Sequence, residues 1–473
     1  VRERSKRRRR DGRDAIALRQ ASAFTPSLES LEGRRVLAVN ALDVGGVLVI
    51  SMDAAGDQAV LQFDGAKYTV TDGLSTVIST FSTASIKNGI QVDGNAGASQ
   101  EFIFKVGSTA LSQTLIVGSQ VETAQVNAAI TNAPNVTLQA GAITLAADIT
   151  TTGAQLYTGP VTLSNNTKLQ GTTVTNSSTI TGSGNNLAIT GDAVVNGAIS
   201  GVTNYSVSGT TTLGANVTTS ATQAYTGAVT LSADPTLQGT TVTNSSTITG
   251  NSKSLAIIGN AAVNGVISGV TNYSVSGTTT LGANVATAGA QTYTGGLTLA
   301  ADAALQGTTA AFGPSIAGNN KNLTLNFSSG VTLDNSVFTS PVVDLTSGKT
   351  TLSGSITTGG SQTYTGPVTL TADVTTASTN NKAIAFSSTV DGAKNLVVTT
   401  TGATTFGGVV GGTTKLTSLS TAGATTLGGN VSTDDAQTYG GAVTLTADVT
   451  TASTNNKAIA FSSTVDGAKN LVV

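Results

Sequence analysis

The sequence predicts an all-β fold, an elongated parallel β-solenoid, and three observations carry that expectation. Apolar residues alternate with Thr and Ser in short runs, long segments recur at fixed spacing, and the composition lacks what helical or metal-built domains use. The 473 residues include no Cys, His or Trp and one Met, with 4% aromatic and 10% charged residues against 55 Gly. Period-two runs rich in β-branched side chains and bounded by Gly, Asn or Asp read as strands. No window carries a sustained 3.6-residue apolar stripe, and Gly and Thr make poor helix. Disorder competes in a chain this rich in Thr, Gly and Ser, but 39% apolar residues and a mean hydropathy of +0.15 oppose it, since they alternate instead of being depleted.

The first element is a basic head. Residues 1–35 hold 11 of the 23 basic and 5 of the 25 acidic residues, including every Arg, which leaves 12 basic and 20 acidic residues, a net −8, for the rest. The run Arg7 to Arg10 invites a nucleic-acid or nuclear-targeting reading; a solvated tail or the start of an export signal is preferred, because blocks of like charge are usually flexible tails. The thinly charged body has no basic stripe to follow a nucleic-acid backbone, so no nucleic-acid partner is expected. An apolar signal core does not follow the Arg run, since Asp11-Gly12-Arg13-Asp14 comes next, and no stretch reaches the roughly 18 apolar residues of a membrane span.

The segment Leu28-Glu29-Ser30-Leu31-Glu32-Gly33-Arg34-Arg35-Val36-Leu37-Ala38 resembles the short Leu-Glu-Pro-Arg-x-Leu-Leu motif near the start of large repetitive surface or secreted proteins of planctomycete bacteria. Leu31, Glu32, Arg34 and Leu37 match; Gly33 stands where Pro is usual and Val36 where Leu is usual. The resemblance covers about a dozen residues and implies export and an extracellular or cell-surface setting, not an activity.

Residues 36–140 read as a degenerate β-rich region or an N-terminal cap, with strands at Val47 to Ser51, Val60 to Phe63, Tyr68 to Thr71 and Phe102 to Val106, and turns at Asp64-Gly65, Asp72-Gly73 and Asp93-Gly94. Residues 141–473 are the repeat array. Ile199 to Val217 recurs unchanged as Ile267 to Val285, and Thr172 to Gly182 recurs as Thr240 to Gly250, both at an offset of 68. Val368 to Val398 recurs as Val443 to Val473, at the longer offset of 75. One landmark is common to all copies, a Gln-x-Tyr unit followed by a Val/Leu-Thr-Leu run, with its Tyr at 157, 225, 293, 364 and 439. Repeats of this length stack so that neighbours bury a continuous core, and the shorter copy is expected to make three coils of roughly 23 residues, or four of roughly 17. Because Val473 matches Val398, where the chain runs on, the array is expected to continue past residue 473 and an uncapped end to self-associate.

Without His or Cys there is no Ser-His-Asp triad, thiolate nucleophile or ordinary zinc or haem site, and no catalytic residue, cofactor or metal is expected. Asp234, Asp302, Asp373 and Asp448 recur at one position, but Asn166 replaces them in the first copy, and at a second position Asp148 gives way to Asn216 and Asn284. Asp and Asn exchange freely in turns, whereas an amide cannot supply a catalytic charge. Tyr157, Tyr225, Tyr293, Tyr364 and Tyr439 are the candidate ligand-stacking residues, since an aromatic ring offers a sugar an apolar face; packing inside the stack is the preferred alternative. Tyr205 and Tyr273 carry the same ambiguity.

The expected function is a non-enzymatic cell-surface or secreted repeat protein, similar in style to bacterial adhesins and filamentous-haemagglutinin-like stalks, holding like surfaces at fixed spacing for cell-surface glycans or neighbouring surface proteins. The alternative is a β-helical carbohydrate-binding module or polysaccharide-acting enzyme.

Overall fold

A short run such as Val161-Thr162-Leu163 is the unit of construction: Val161 and Leu163 are buried and Thr162 points out. The same in-out-in pattern holds for Val229–Leu231, Thr211–Leu213 and Val443–Leu445. A strand this short buries two side chains and cannot stand alone, so its stability comes from stacking on copies of itself. In the computed structural model, which describes residues 39–97, 99–105, 110–334, 338–340 and 342–473, it does so in a parallel β-solenoid with no helix. The Arg run and the Leu28 to Ala38 motif lie outside the described residues.

Each coil has three sides. Gln155–Tyr157, Val161–Leu163 and the first half of Thr167–Asn176 form one round, and the second half of Thr167–Asn176 begins the next on top of Gln155–Tyr157. These define a first, second and third face. On the first face, parallel pairing climbs without a break from Val47–Met52 through Gly89–Asp93, Leu115–Val117, Val136–Leu138 and Gln155–Tyr157 to Val465–Asp466. At about 4.8 Å per paired strand the stack is about 95 Å long.

The register corrects the expected coil size. Gln155 pairs with Val174, Ile143 with Val161 and Ile149 with Leu169, so one round advances the chain by 19, 18 or 20, and the same separations recur in the side-chain bonds between coils. In the shorter copies neither expected coil length is the rule; both occur in later coils, where Leu345 pairs with Gln362, 17 residues on, and Asn395 with Ser418, 23 residues on. In the longer copies the advance varies more widely and reaches 22 where Gln362 pairs with Ile384 and Asp373 meets Asn395, against 20 from Ile384 to Thr404 and 18 from Thr425 to Val443. The expectation failed because it divided the copy into whole coils. After Tyr157 the chain lays down Val161–Leu163, both halves of Thr167–Asn176, Ile180–Thr181, both halves of Leu187–Val195, then Ile199–Val202, Tyr205–Val207, Thr211–Leu213, Val217–Thr219 and Thr222–Tyr225: eleven sides, two-thirds of a coil beyond three full turns.

The N-terminal end is built differently. Val39–Val44 pairs antiparallel with Val47–Met52, and Gln58–Phe63, Lys67–Asp72 and Val77–Ser82 form an antiparallel meander whose first strand pairs parallel with Glu101–Phe104. Asp64-Gly65 and Asp72-Gly73 make its hairpin turns, with Asp64 Oδ1 accepting from the Ala66 and Lys67 N–H groups and Asp72 Oδ1 from Leu74 and Thr76. Asp93-Gly94 instead leaves a parallel strand. Met52, Phe63 and Tyr68 are buried there, the two rings stacked with centroids 4.5 Å apart.

Candidate functional site

Alternation places the Gln and the Tyr of each Gln-x-Tyr unit on the same, inward side of a short strand. Tyr157, Tyr225, Tyr293, Tyr364 and Tyr439 are all buried, at 0 to 2% exposure, as are Tyr68, Tyr205 and Tyr273, so every Tyr of the chain is in the core. No ring face is open to a sugar in this conformation. In the next coil Asn176 lies over Tyr157 and Asn244 over Tyr225, whereas Phe312, Phe386 and Phe461 stack on Tyr293, Tyr364 and Tyr439 with centroids 5.8, 5.0 and 5.0 Å apart.

The Gln, which the sequence reading treated only as a landmark, organises each unit. Gln223 Oε1 accepts from the Tyr225 hydroxyl at 2.9 Å, and its Nε2 donates to the carbonyls of Val217 at 2.9 Å and Gln238 at 2.7 Å, one coil apart. The same three bonds recur at Gln155, Gln291, Gln362 and Gln437. Ahead of each Gln, at 151, 219, 287, 358 and 433, stands a Thr whose Oγ1 donates to a carbonyl just beyond it in the chain. The full motif is therefore Thr-x-x-x-Gln-x-Tyr, a buried polar network at one corner. Its spacing was legible in all five copies, but a polar residue at an inward position announces itself only once the inside is known. Burial pushes these phenols above their ordinary pKa. Tyr205 and Tyr273, which meet Tyr225 and Tyr293 edge to face, have no hydrogen-bond partner for their hydroxyls among the described residues.

The recurrent Asp residues sit at corners, one or two residues before a strand, and accept backbone N–H bonds from the next coil: Asp234 from Ser254 at 2.6 Å, Asp302 from Asn322, Asp373 from Asn395 and Asp448 from Asn470, each at 2.9 Å. Asn166 takes the same bond from Asn186 at 2.9 Å. At the second position Asp148, Asn216 and Asn284 accept from Lys168, Thr236 and Ala304. The exchange of Asp with Asn thus has a geometric cause, since both supply an Oδ1 acceptor, but the bond is a clip between coils and not the local turn bond the sequence implied. These N–H bonds hold the Asp373 and Asp448 carboxyls below the usual carboxylate range. Nor do the four Asp form one row. Asp234 and Asp448 precede strands of the second face, Asp302 of the first and Asp373 of the third.

Among the described residues no three of His, Cys, Asp and Glu come together as metal ligands, and no helix is long and apolar enough to cross a membrane. A shallow cavity of about 240 Å³ lies under the lengthened corner of the longer copy, lined by Ala377, Ser378, Thr379, Asn381, Thr399, Thr400, Thr401 and Ala422. Its lining carries no ionisable group. The chain matches no protein-family model, no curated protein and no solved structure.

Proposed function

We propose that this protein is a non-enzymatic repeat rod, cell-surface or secreted, that acts by multivalent display in the manner of adhesin-like stalks. The observation that carries the reading is the union of five sequence copies into one uninterrupted backbone ladder, which fixes the distance between like surfaces so that weak contacts add. Its repeated polar residues support a structural use: the Gln-x-Tyr units close a core corner, and the Asp and Asn residues join coils. A polysaccharide-acting enzyme would call for carboxylates facing one another about 5 to 9.5 Å apart. Here Asp234, Asp302 and Asp373 stand at the corners of three different faces. The export-type motif at Leu28 to Ala38 supports an extracellular setting.

The test compares the full chain with arrays shortened to one and two copies on immobilised surface glycans and on intact cells. Apparent affinity is expected to rise at least tenfold from one copy to five, with no change in glycan chain length. Equal binding by one copy, or glycan cleavage that is lost in the triple Asp234→Asn, Asp302→Asn, Asp373→Asn variant, would overturn the reading.

A further inference from the structure

Eleven sides per copy on a three-sided coil leaves every copy turned by a third of a round against the one before. The five Tyr record the rotation. Tyr157 is on the first face, where it is continuous with Val136–Leu138. Tyr225 follows Val207, Ile189 and Leu169 on the third, and Tyr293 follows Val275, Ile257 and Leu237 on the second. Tyr364 returns to the first, over Ser347 and Leu325, and Tyr439 to the third, over Thr421 and Val398. The rule survives changes in copy length. The steps from Tyr293 to Tyr364 and from Tyr364 to Tyr439 are longer than the step from Tyr225 to Tyr293, and the added residues enlarge corners such as Thr379 to Ala383 without adding a side. A position encoded once per copy therefore climbs the rod as a screw. It rises about 18 Å per copy and regains its face only after eleven coils, about 53 Å, at about 4.8 Å per coil.

We infer that the array is built to present each copy-encoded surface in three directions in turn, so that the multivalent partner it fits is a flexible one whose binding units can follow the screw around the rod, and not a flat surface. This deepens the display reading and rests on it. A planar surface meets one face at a time and engages every third copy; a flexible chain bearing several binding units gains effective concentration from successive copies.

The absence of Cys allows a test with attached probes, independent of the natural ligand. Thr158 and Thr226, the residues after Tyr157 and Tyr225, are equivalent, exposed, and one copy apart. Ser232 is also exposed and lies directly above Thr158 on the first face, four coils up through Asn176, Val195, Leu213 and Leu231. The pairs Thr158→Cys/Thr226→Cys and Thr158→Cys/Ser232→Cys thus have nearly the same axial separation, about 18 and about 19 Å at about 4.8 Å per coil, and differ in rotation. Both are coupled to desthiobiotin through a short linker, beside the single Thr158→Cys control. On a planar streptavidin layer the Ser232 pair is expected to dissociate at least tenfold more slowly than the single label, and the Thr226 pair within about twofold of it. On streptavidin carried by a flexible dextran both pairs should be slow. Equal retention of the two pairs on the plane would overturn the inference, as would retention of neither on dextran. Failure of natural glycan binding with these results intact would instead sink the display function and leave the screw standing.

Discussion

Removing the Tyr225 hydroxyl while keeping its ring isolates the buried network from aromatic packing. In Tyr225→Phe the Gln223 Oε1 loses its donor at 2.9 Å and is left in a site where Gln223 is fully buried. An orphaned buried polar atom costs about 1–3 kcal/mol, so about 1–2 kcal/mol is expected for this neutral pair. Gln223→Leu takes away three bonds, strands the Tyr225 hydroxyl and unties the Val217 and Gln238 carbonyls, for about 2–4 kcal/mol. The double variant has no hydroxyl left to strand, and its cost should fall short of the sum by about 1 kcal/mol or more. Because a repeat stack opens locally, the readout is amide hydrogen exchange over residues 217–244 and not a global melt. Tyr225→Phe should accelerate exchange there about tenfold, since about 1.4 kcal/mol is a factor of ten, and leave residues 404–431 unchanged. Additive costs in the double variant, or unaltered exchange in Tyr225→Phe, would refute the network as a source of stability.

The remaining predictions use other parts of the rod. All eight Tyr are buried, and Tyr68 is pushed up to about 12 by desolvation, with the array phenols raised further; since unfolded Tyr loses its proton near pH 10, stability should be full below about pH 10 and fall as pH rises above it. Phenolate absorbance in the near ultraviolet should then appear together with loss of β signal, and ionisation of a still-folded rod near pH 10 would contradict the burial. Gly259 has φ +124° and a Cβ there would lie 1.8 Å from the Gly239 carbonyl oxygen, so Gly259→Ala should cost roughly 3 kcal/mol or more and speed exchange in the coils on either side. The triple Asp234→Asn, Asp302→Asn, Asp373→Asn variant keeps every Oδ1 clip and should shift thermal stability by no more than about 0.5 kcal/mol, the range of exposed substitutions; Asp302→Ala, which removes the acceptor for Asn322, should cost more.

The strands of the repeat array, the repeat length and the fold class were determined by the sequence alone, because alternation is a local property. Val229-Thr230-Leu231 can bury Val and Leu together only as a strand, and the recurrence of such runs from copy to copy can bury them only by stacking. The Asp-to-Asn exchange was legible as a backbone-directed role for the same reason, since it reads the chemistry of one side chain. What the sequence left open was everything that depends on closing the coil. The Tyr ladder had two readings because an alternating strand does not say which of its sides is inside, and only the stack puts Gln223 and Tyr225 within it and gives the Gln amide its two carbonyls. The coil length was misjudged because sequence identity marks the duplicated length, whereas the coil is set by three strands and three corners closing on themselves, as when Val136 comes to lie beside Gln155 and Ile143 beside Val161. Those two periods need not divide one another. Their mismatch, eleven sides against three, is invisible in any single copy, and the tertiary structure alone decides that five like segments face three ways.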